Sequence, residues 1–298
     1  MCQCLPMPIH HHTISSSPRL AISVAGEGPL VILVHGLGGD RNTWAHQLEA
    51  LQHKYTAVSV DLRGYGDSED PPLPIQFKAD FCADLLAVID YFNVPRAHLV
   101  GLSMGGRVCR TAALQMPDRV ASLTLANTSP GFDHMTATQL EAFVEARSGA
   151  LTQNGLPPDF GRQQALAMMA PGAPLSAINV MAQAVDRLRV PNYLSTLRAS
   201  TLQDRGDRLE DITCPVHIIT SDQDTVYPAG VTTALCQRIP HALHTEIIGA
   251  GHISNLEQPD AFNAALMRFL DSLPRENDAH PTLAPQETPC ISIGKNSL

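Results

Sequence analysis

The chain alternates short, largely apolar runs with stretches in which apolar positions recur every three or four residues. "PLVILVH" (29–35), "YTAVSVD" (55–61), "AHLVGL" (97–102), "VASLTLAN" (120–127), "CPVHIIT" (214–220) and "LHTEIIG" (243–249) are rich in β-branched residues and read as buried strands. Among the helical patterns between them, "FKADFCADLLAVIDYF" (77–92) repeats Phe77, Phe81, Leu85, Val88 and Phe92 and leaves Lys78, Asp80 and Asp84 on another face. Buried strands separated by helices predict an α/β fold. Its mostly parallel, doubly wound sheet would gather ligands at the carboxyl ends of the strands.

The alternation breaks from Pro130 to Arg205. There "TATQLEAFVEARSGALT", "DFGRQQALAMMA" and "LSAINVMAQAVDRLRV" follow one another without a clear strand, punctuated by Pro157, Pro158, Pro171, Pro174 and Pro191. A run of helices inside an α/β chain predicts a helical lid inserted over the carboxyl edge of the sheet. The expected organisation is a disordered N-terminal segment at 1–18, a core at 19–129 and 206–273, the lid at 130–205, and a disordered Pro-rich tail at 274–298.

Charge and composition remove several functional classes. With a net charge of −9 and scattered Lys and Arg, the chain is not expected to bind nucleic acid. No stretch approaches the roughly 18–20 uninterrupted apolar residues that span a bilayer, and the first residues lack the order of a secretion signal. The expectation is a cytoplasmic protein without a membrane partner. Seven cysteines, an odd number at irregular spacing, read mostly as buried free thiols. Cys2, Cys4 and the His10, His11, His12 triplet are given no metal-binding role.

"LVGLSMGGRV" (99–108) sets Ser103 between Gly101 and Gly105 where a strand ends and a helix begins. A G-x-S-x-G string arises by chance about 0.1 times in a chain of this length, so the strand-turn-helix context has to carry the argument. In that context the glycines let strand and helix approach closely, and the Ser103 hydroxyl projects from a tight turn. The amide of Met104, at the helix N-terminus, can face a developing oxyanion. Leu37, in "HGLGGD" after the first of these strands, is the candidate second donor.

A serine nucleophile needs a base, and the base needs an orienting carboxylate. Of thirteen histidines, His252 in "IIGAGHISNLEQ" lies just past a strand, among small residues that let the loop bend toward the site. His98 and His217 belong to strands, and His35 is read as shaping its own loop. "VHIITSDQDTVYP" offers Asp222 and Asp224 in one loop, and these residues alone do not separate them.

"HGLGG", "DLRGYGDS", "GLSMGG", "SDQDTVYP" and "GAGH" together resemble the α/β-hydrolase superfamily, over about Arg19 to Leu273. The resemblance implies Ser103 as nucleophile and His252 as base. It favours Asp224 as acid, because in this family the acid lies a few residues before a proline, here Pro228. "GLSMGG", "HGLGG" and "LANT" are most similar to 3-oxoadipate enol-lactonases and related small-molecule esterases. A serine nucleophile sets aside the haloalkane dehalogenase and epoxide hydrolase branches, which use aspartate. Leu102 stands where the carbon–carbon hydrolases of meta-cleavage products usually carry asparagine.

The expected function is a cofactor-independent serine hydrolase of a small-molecule carboxylic ester or lactone, acting through an acyl-enzyme and using no metal. Ser103, Asp224 and His252 would be catalytic, with Leu37 and Met104 as the oxyanion hole. The alternatives are carbon–carbon hydrolysis of meta-cleavage-type diketones and a slow-turnover ligand receptor on the same fold. A homo-oligomer is left open. Five arginines of the insertion, Arg147, Arg162, Arg187, Arg189 and Arg198, are candidates to hold a substrate carboxylate, most of them expected in solvent. Phe132, Met135, Phe143, Met168, Met169, Met181 and Tyr193 are expected to divide between the mouth above Ser103 and the lid's own core, with the larger share in the core. Trp44 is expected to border the site or to pack under the first helix.

Overall fold

The structure is a computed structural model that describes residues 8–149, 151 and 155–274. In chain order its elements are β1 (His10–Ile14), β2 (Leu20–Ala25), β3 (Leu30–Val34), α1 (Ala45–Leu51), β4 (Thr56–Val60), α2 (Phe77–Tyr91), β5 (Ala97–Leu102), α3 (Met104–Gln115) and β6 (Val120–Ala126). Four helices follow, α4 (Ala137–Ser148), α5 (Phe160–Met168), α6 (Leu175–Asp186) and α7 (Val190–Leu202). The chain then returns through β7 (Val216–Ser221), α8 (Ala229–Arg238), β8 (Leu243–Ile247), α9 (Ser254–Glu257) and α10 (Pro259–Ser272).

Among the described residues the strands form one eight-stranded sheet in the order β1-β2-β4-β3-β5-β6-β7-β8. Pairing is antiparallel at β1/β2 and β2/β4 and parallel from β4 through β8. β3 shows why the central strands read as continuous apolar runs. Its Ile32 and Val34 pack with Phe81, Leu85 and Val108 on one face, and its Val31 and Leu33 pack with Leu48, Phe262 and Leu266 on the other. Both faces are covered by helices, so period-two alternation of polarity has no reason to exist.

The sequence expectation needs correction at several places. "LHTEIIG", expected to be a buried strand, forms the edge strand β8 and buries only Ile247, and β2, buried along its whole length, is a strand beyond the six expected. β1 lies inside the N-terminal segment expected to be disordered, yet it pairs with β2 from His10 opposite Val24 to Ile14 opposite Leu20. An edge strand needs only one neighbour, and β1 buries only Ile14, so it shows no apolar pattern. The rest of that segment at 1–7, with Cys2 and Cys4, and the tail at 275–298 lie outside the described residues. On α2, Asp84 is not on an open face: it is buried, and its carboxylate receives both Nε and Nη2 of Arg63. The insertion also holds a fourth helix, α7, whose Pro191 sits in the first turn, where a missing N–H removes no helical bond. No helix among the described residues is long and apolar enough to cross a membrane.

The chain leaves β3 toward β4 on one side and returns to β5 on the other. The carboxyl ends of β3 and β5 therefore flank a topological switch point, where open α/β sheets leave a crevice. The loop 36–39 and Ser103 lie there, under α4 to α7.

His98 and His217 are strand residues whose rings bond to neighbouring strands, at Ser122 Oγ (2.8 Å) and Thr245 Oγ1 (2.9 Å). Burial above all pushes each imidazole from 6.5 down to about 4, with smaller contributions from Arg96 at His98 and from His244 and Arg268 at His217. The unfolded chain thus takes up protons that the folded chain refuses, and stability falls as pH drops from 6.5 toward about 4. The urea midpoint should fall across that window, and less steeply in His98→Gln and His217→Gln. Identical slopes in all three proteins would contradict the assignment.

Candidate active site

Ser103 joins β5 to α3 at φ 54° and ψ −118°, a backbone conformation that is strained for any residue but glycine. Its neighbours impose this. A Cβ at Gly101 would stand 2.3 Å from the Gly105 carbonyl oxygen, and one at Gly105 would stand 2.2 Å from that of Val34. Both positions are closed to any side chain. The turn is tied down by Ser103 N–H donating to Ala126 O (2.9 Å) and Thr128 Oγ1 donating to Ser103 O (2.6 Å). Met104 opens α3, so its N–H has no acceptor within the helix.

His252 follows β8 and places Nε2 2.8 Å from Ser103 Oγ and Nδ1 2.9 Å from Asp224 Oδ2. The two aspartates of the loop after β7 separate cleanly. Asp222 is exposed and accepts from Gly249 N–H (2.7 Å), a turn contact. Asp224 is buried; Oδ1 accepts from the N–H groups of Val226 and Tyr227 at 2.8 and 2.9 Å, and Oδ2 also accepts from Asn127 Nδ2 at 3.0 Å. Burial pushes its pKa upward, but the bonds from His252, Tyr227 and Asn127 outweigh it and hold the carboxyl below its ordinary value. An ionised Asp224 can only accept, so His252 Nδ1 carries the proton and the Nε2 lone pair faces Ser103.

Residues 29–259 match the family of the alpha/beta hydrolase fold. The chain belongs to the α/β hydrolases. This α/β hydrolase is 29% identical over 268 residues to 3-oxoadipate enol-lactonase 2 of Acinetobacter baylyi, covering 87% of this chain and 97% of that protein. It is 32% identical over 262 residues to the pimeloyl-[acyl-carrier protein] methyl ester esterase of Chromobacterium violaceum, covering 85% and 99%. A thermophilic esterase from Thermogutta terrifontis is similar in structure, with TM-score 0.76 and 25% identity over 89% of this chain and 98% of that one.

Ser103 and His252 open on a cavity of about 360 Å³ in the hydrolase. The loop after β3 forms one wall, with Gly36, Leu37, Gly38 and Gly39, and the insertion forms the roof. Phe132, Phe143, Met168, Met181 and Tyr193 line it, while Met181 and Met169 belong to a buried apolar cluster against which Met168 and Tyr193 also pack; Met135 and Met169 do not line the cavity. Trp44 is fully buried and packs on Phe262 at 6.0 Å between ring centroids; its neighbour Thr43 lines the cavity and Trp44 does not. His35 shapes its loop as expected, Nδ1 donating to Gly36 O (2.8 Å) and Nε2 accepting from Leu62 N–H (3.1 Å).

Of the five candidate arginines, Arg147 lines the cavity. Arg187 pairs with Asp67 and Asp40, Arg189 with Asp70, and Arg198 with Glu141, while Arg162 is exposed on α5 outside the lining. The arginine that sequence reasoning missed is Arg107, on α3, buried and lining the cavity.

Two other unforeseen residues hold the loops. Asn127 directly follows β6 and donates to Asp224 and Ser221, while its Oδ1 accepts from Ser254 Oγ (2.6 Å). Its only sequence signal was the "LANT" string. Glu257 is buried, and its carboxylate accepts from three backbone N–H groups, Ala170 (2.7 Å), Gly251 (2.9 Å) and Ile253 (3.0 Å). It clasps both flanks of His252 to the α5–α6 connection, and His252 N–H itself donates to Met168 O (2.8 Å). In Glu257→Gln an amide NH₂ would face one of those donors, leaving a buried group unpaired at about 1–3 kcal/mol. The variant should melt lower and exchange the amides of Ala170, Gly251 and Ile253 faster with deuterium. Unchanged protection would remove Glu257 from this role.

Proposed function

We propose that this hydrolase cleaves a small-molecule carboxylic ester or lactone through a serine acyl-enzyme. The reading is carried by the unbroken chain from Ser103 Oγ to His252 Nε2 and from His252 Nδ1 to Asp224, at 2.8 and 2.9 Å, opening on a cavity roofed by the insertion. A cavity of about 360 Å³ suits a small molecule. Relatives named as an enol-lactonase and a methyl ester esterase support both a cyclic and an open ester.

In the proposed reaction Ser103 Oγ attacks the substrate carbonyl carbon as its proton passes to His252 Nε2. Asp224 keeps the ring in the required tautomer and stabilises the imidazolium that forms. Negative charge on the former carbonyl oxygen is met by the N–H groups of Leu37 and Met104, the second strengthened by the positive end of α3. Collapse breaks the bond to the alcohol or enol oxygen, which leaves with the proton from His252. Water then attacks the acyl-enzyme with His252 as base, which frees the acid and restores Ser103.

A fluorophosphonate should label Ser103, and Ser103→Ala should keep the folded structure, lose the label and lose at least about 10³-fold in turnover of a p-nitrophenyl ester. Labelling at another residue, or retention of a tenth of the activity, would sink the proposal. Asp224→Asn should cost about 10⁴-fold, because an amide favours the wrong imidazole tautomer. Asp222→Asn should stay close to wild type; the reverse order would transfer the acid role to Asp222.

A further inference from the structure

We propose that the cavity is built for a substrate that carries its own carboxylate, and that Arg107 binds it. This rests on the serine hydrolase reading and names the substrate class. Two formally charged side chains line the cavity, Arg107 and Arg147, and no Asp or Glu joins them, although the chain as a whole carries −9. The cavity is locally cationic in an anionic protein.

Arg107 lies one helical turn beyond Ser103 and is only 4% exposed. Among the described residues both of its side-chain hydrogen bonds leave from Nη1, to Ser200 O (2.6 Å) and Asp204 Oδ2 (2.9 Å). Its Nε is buried without a partner. Nη2 has no partner among the described residues either and, unlike Nε, is not a buried atom, so it is the donor left to give a carboxylate a charge-assisted hydrogen bond. Arg110 has an unpartnered Nε too, but it does not line the cavity.

The neighbouring charges do not cancel Arg107. Asp204 also accepts from Arg110, while Asp207 pairs with Lys78 at 2.5 Å and Arg110 at 3.5 Å, so three cations share two carboxylates. Phe77 and Phe132 hold the guanidinium between their rings, with centroids 5.7 and 5.0 Å from Cζ. Arg147 adds charge nearer solvent, its Cζ 3.5 Å from the centroid of Phe143. Residues four apart on a helix lie about 5–6 Å from each other. A carboxylate on Arg107 would therefore sit a few bonds from a carbonyl at Ser103, as in a half-ester of a short dicarboxylic acid or a lactone with an acid side chain.

The test compares p-nitrophenyl hydrogen glutarate with p-nitrophenyl pentanoate, which share leaving group and chain length. Wild-type protein should favour the acid at least tenfold in kcat/KM, mainly through KM, with the advantage shrinking as salt is added. Arg107→Gln should cut that ratio at least tenfold. Because Arg107 also braces Ser200 and Asp204, a second measurement leaves it in place: Ser103→Ala should bind glutarate, and not glutaramide, by calorimetry. Equal or better turnover of the neutral ester with Ser103 labelled by a fluorophosphonate overturns the carboxylate site and leaves the serine hydrolase standing. Glutarate failing to bind Ser103→Ala overturns it as well. If neither ester is cleaved and Ser103 is not labelled, the hydrolase reading fails and the carboxylate site falls with it.

Discussion

The contact on which the rest of the site depends is the one between the start of α3 and the end of β3. Gly105 passes so close to the Val34 carbonyl that a methyl group would lie 2.2 Å from it, and Gly101 passes equally close to Gly105. That approach forces Ser103 to a φ of 54° and aims its side chain out of the turn. Were the helix start a single methyl group further away, Ser103 could relax, and its Oγ would no longer meet His252 Nε2 beside the loop of Leu37. Strain at one residue is offset by the packing of β3, β5 and α3, which fill the best-buried part of the sheet.

Around that fixed point the other groups are positioned by carboxylates and amides at the ends of neighbouring strands. Asn127 follows β6, Asp224 follows β7 and His252 follows β8, and each side chain is bonded to the next. The insertion is tied to the core at several places, the bond from Arg107 to the Ser200 carbonyl among them. Glu257 fastens its α5–α6 connection to the histidine loop. Arg187 and Arg189 fasten the α6–α7 connection to the loop after β4, through Asp67, Asp70 and the carbonyls of Gly66 and Ser68. The roof of the cavity and the loop that carries the imidazole therefore share load-carrying hydrogen bonds, and a disturbance of one is felt by the other.

What was legible in the sequence depends on the record that each element leaves in its own run of residues. β3 to β7 could be read because both their faces are covered, and the apolar run is then a direct record of burial; β8, read as buried, is an edge strand that buries only Ile247. β1 could not, because its HHHTI run holds a single apolar residue; β2 is buried along its length but stands outside the six runs read, and α7 was hidden because proline in a first turn looks like a break. Ser103 and His252 stood out because small residues at their flanks have a steric purpose. Asp224 was separated from Asp222 only by resemblance, since burial and the direction of a side chain are properties of the folded loop. Arg107 and Glu257 were missed for a related reason. A charged residue on a helix reads as solvated surface until the fold shows what covers it.

Arg107 also shows why the cavity differs in charge from the surface that surrounds it. A guanidinium cannot be taken out of water without partners, and the fold supplies Asp204 and the Ser200 carbonyl, both reached through Nη1 alone. A site meant merely to fill space could have used methionine or leucine there, as the lid does with Met168, Met181 and Leu197, and would have spared the desolvation. Retaining the charge, sharing its counter-ion with Arg110 and leaving Nε without a partner is stable only because the rest of the cluster over-determines its position. The same over-determination would make the group rigid before a substrate arrives, so little ordering would remain to be lost on binding.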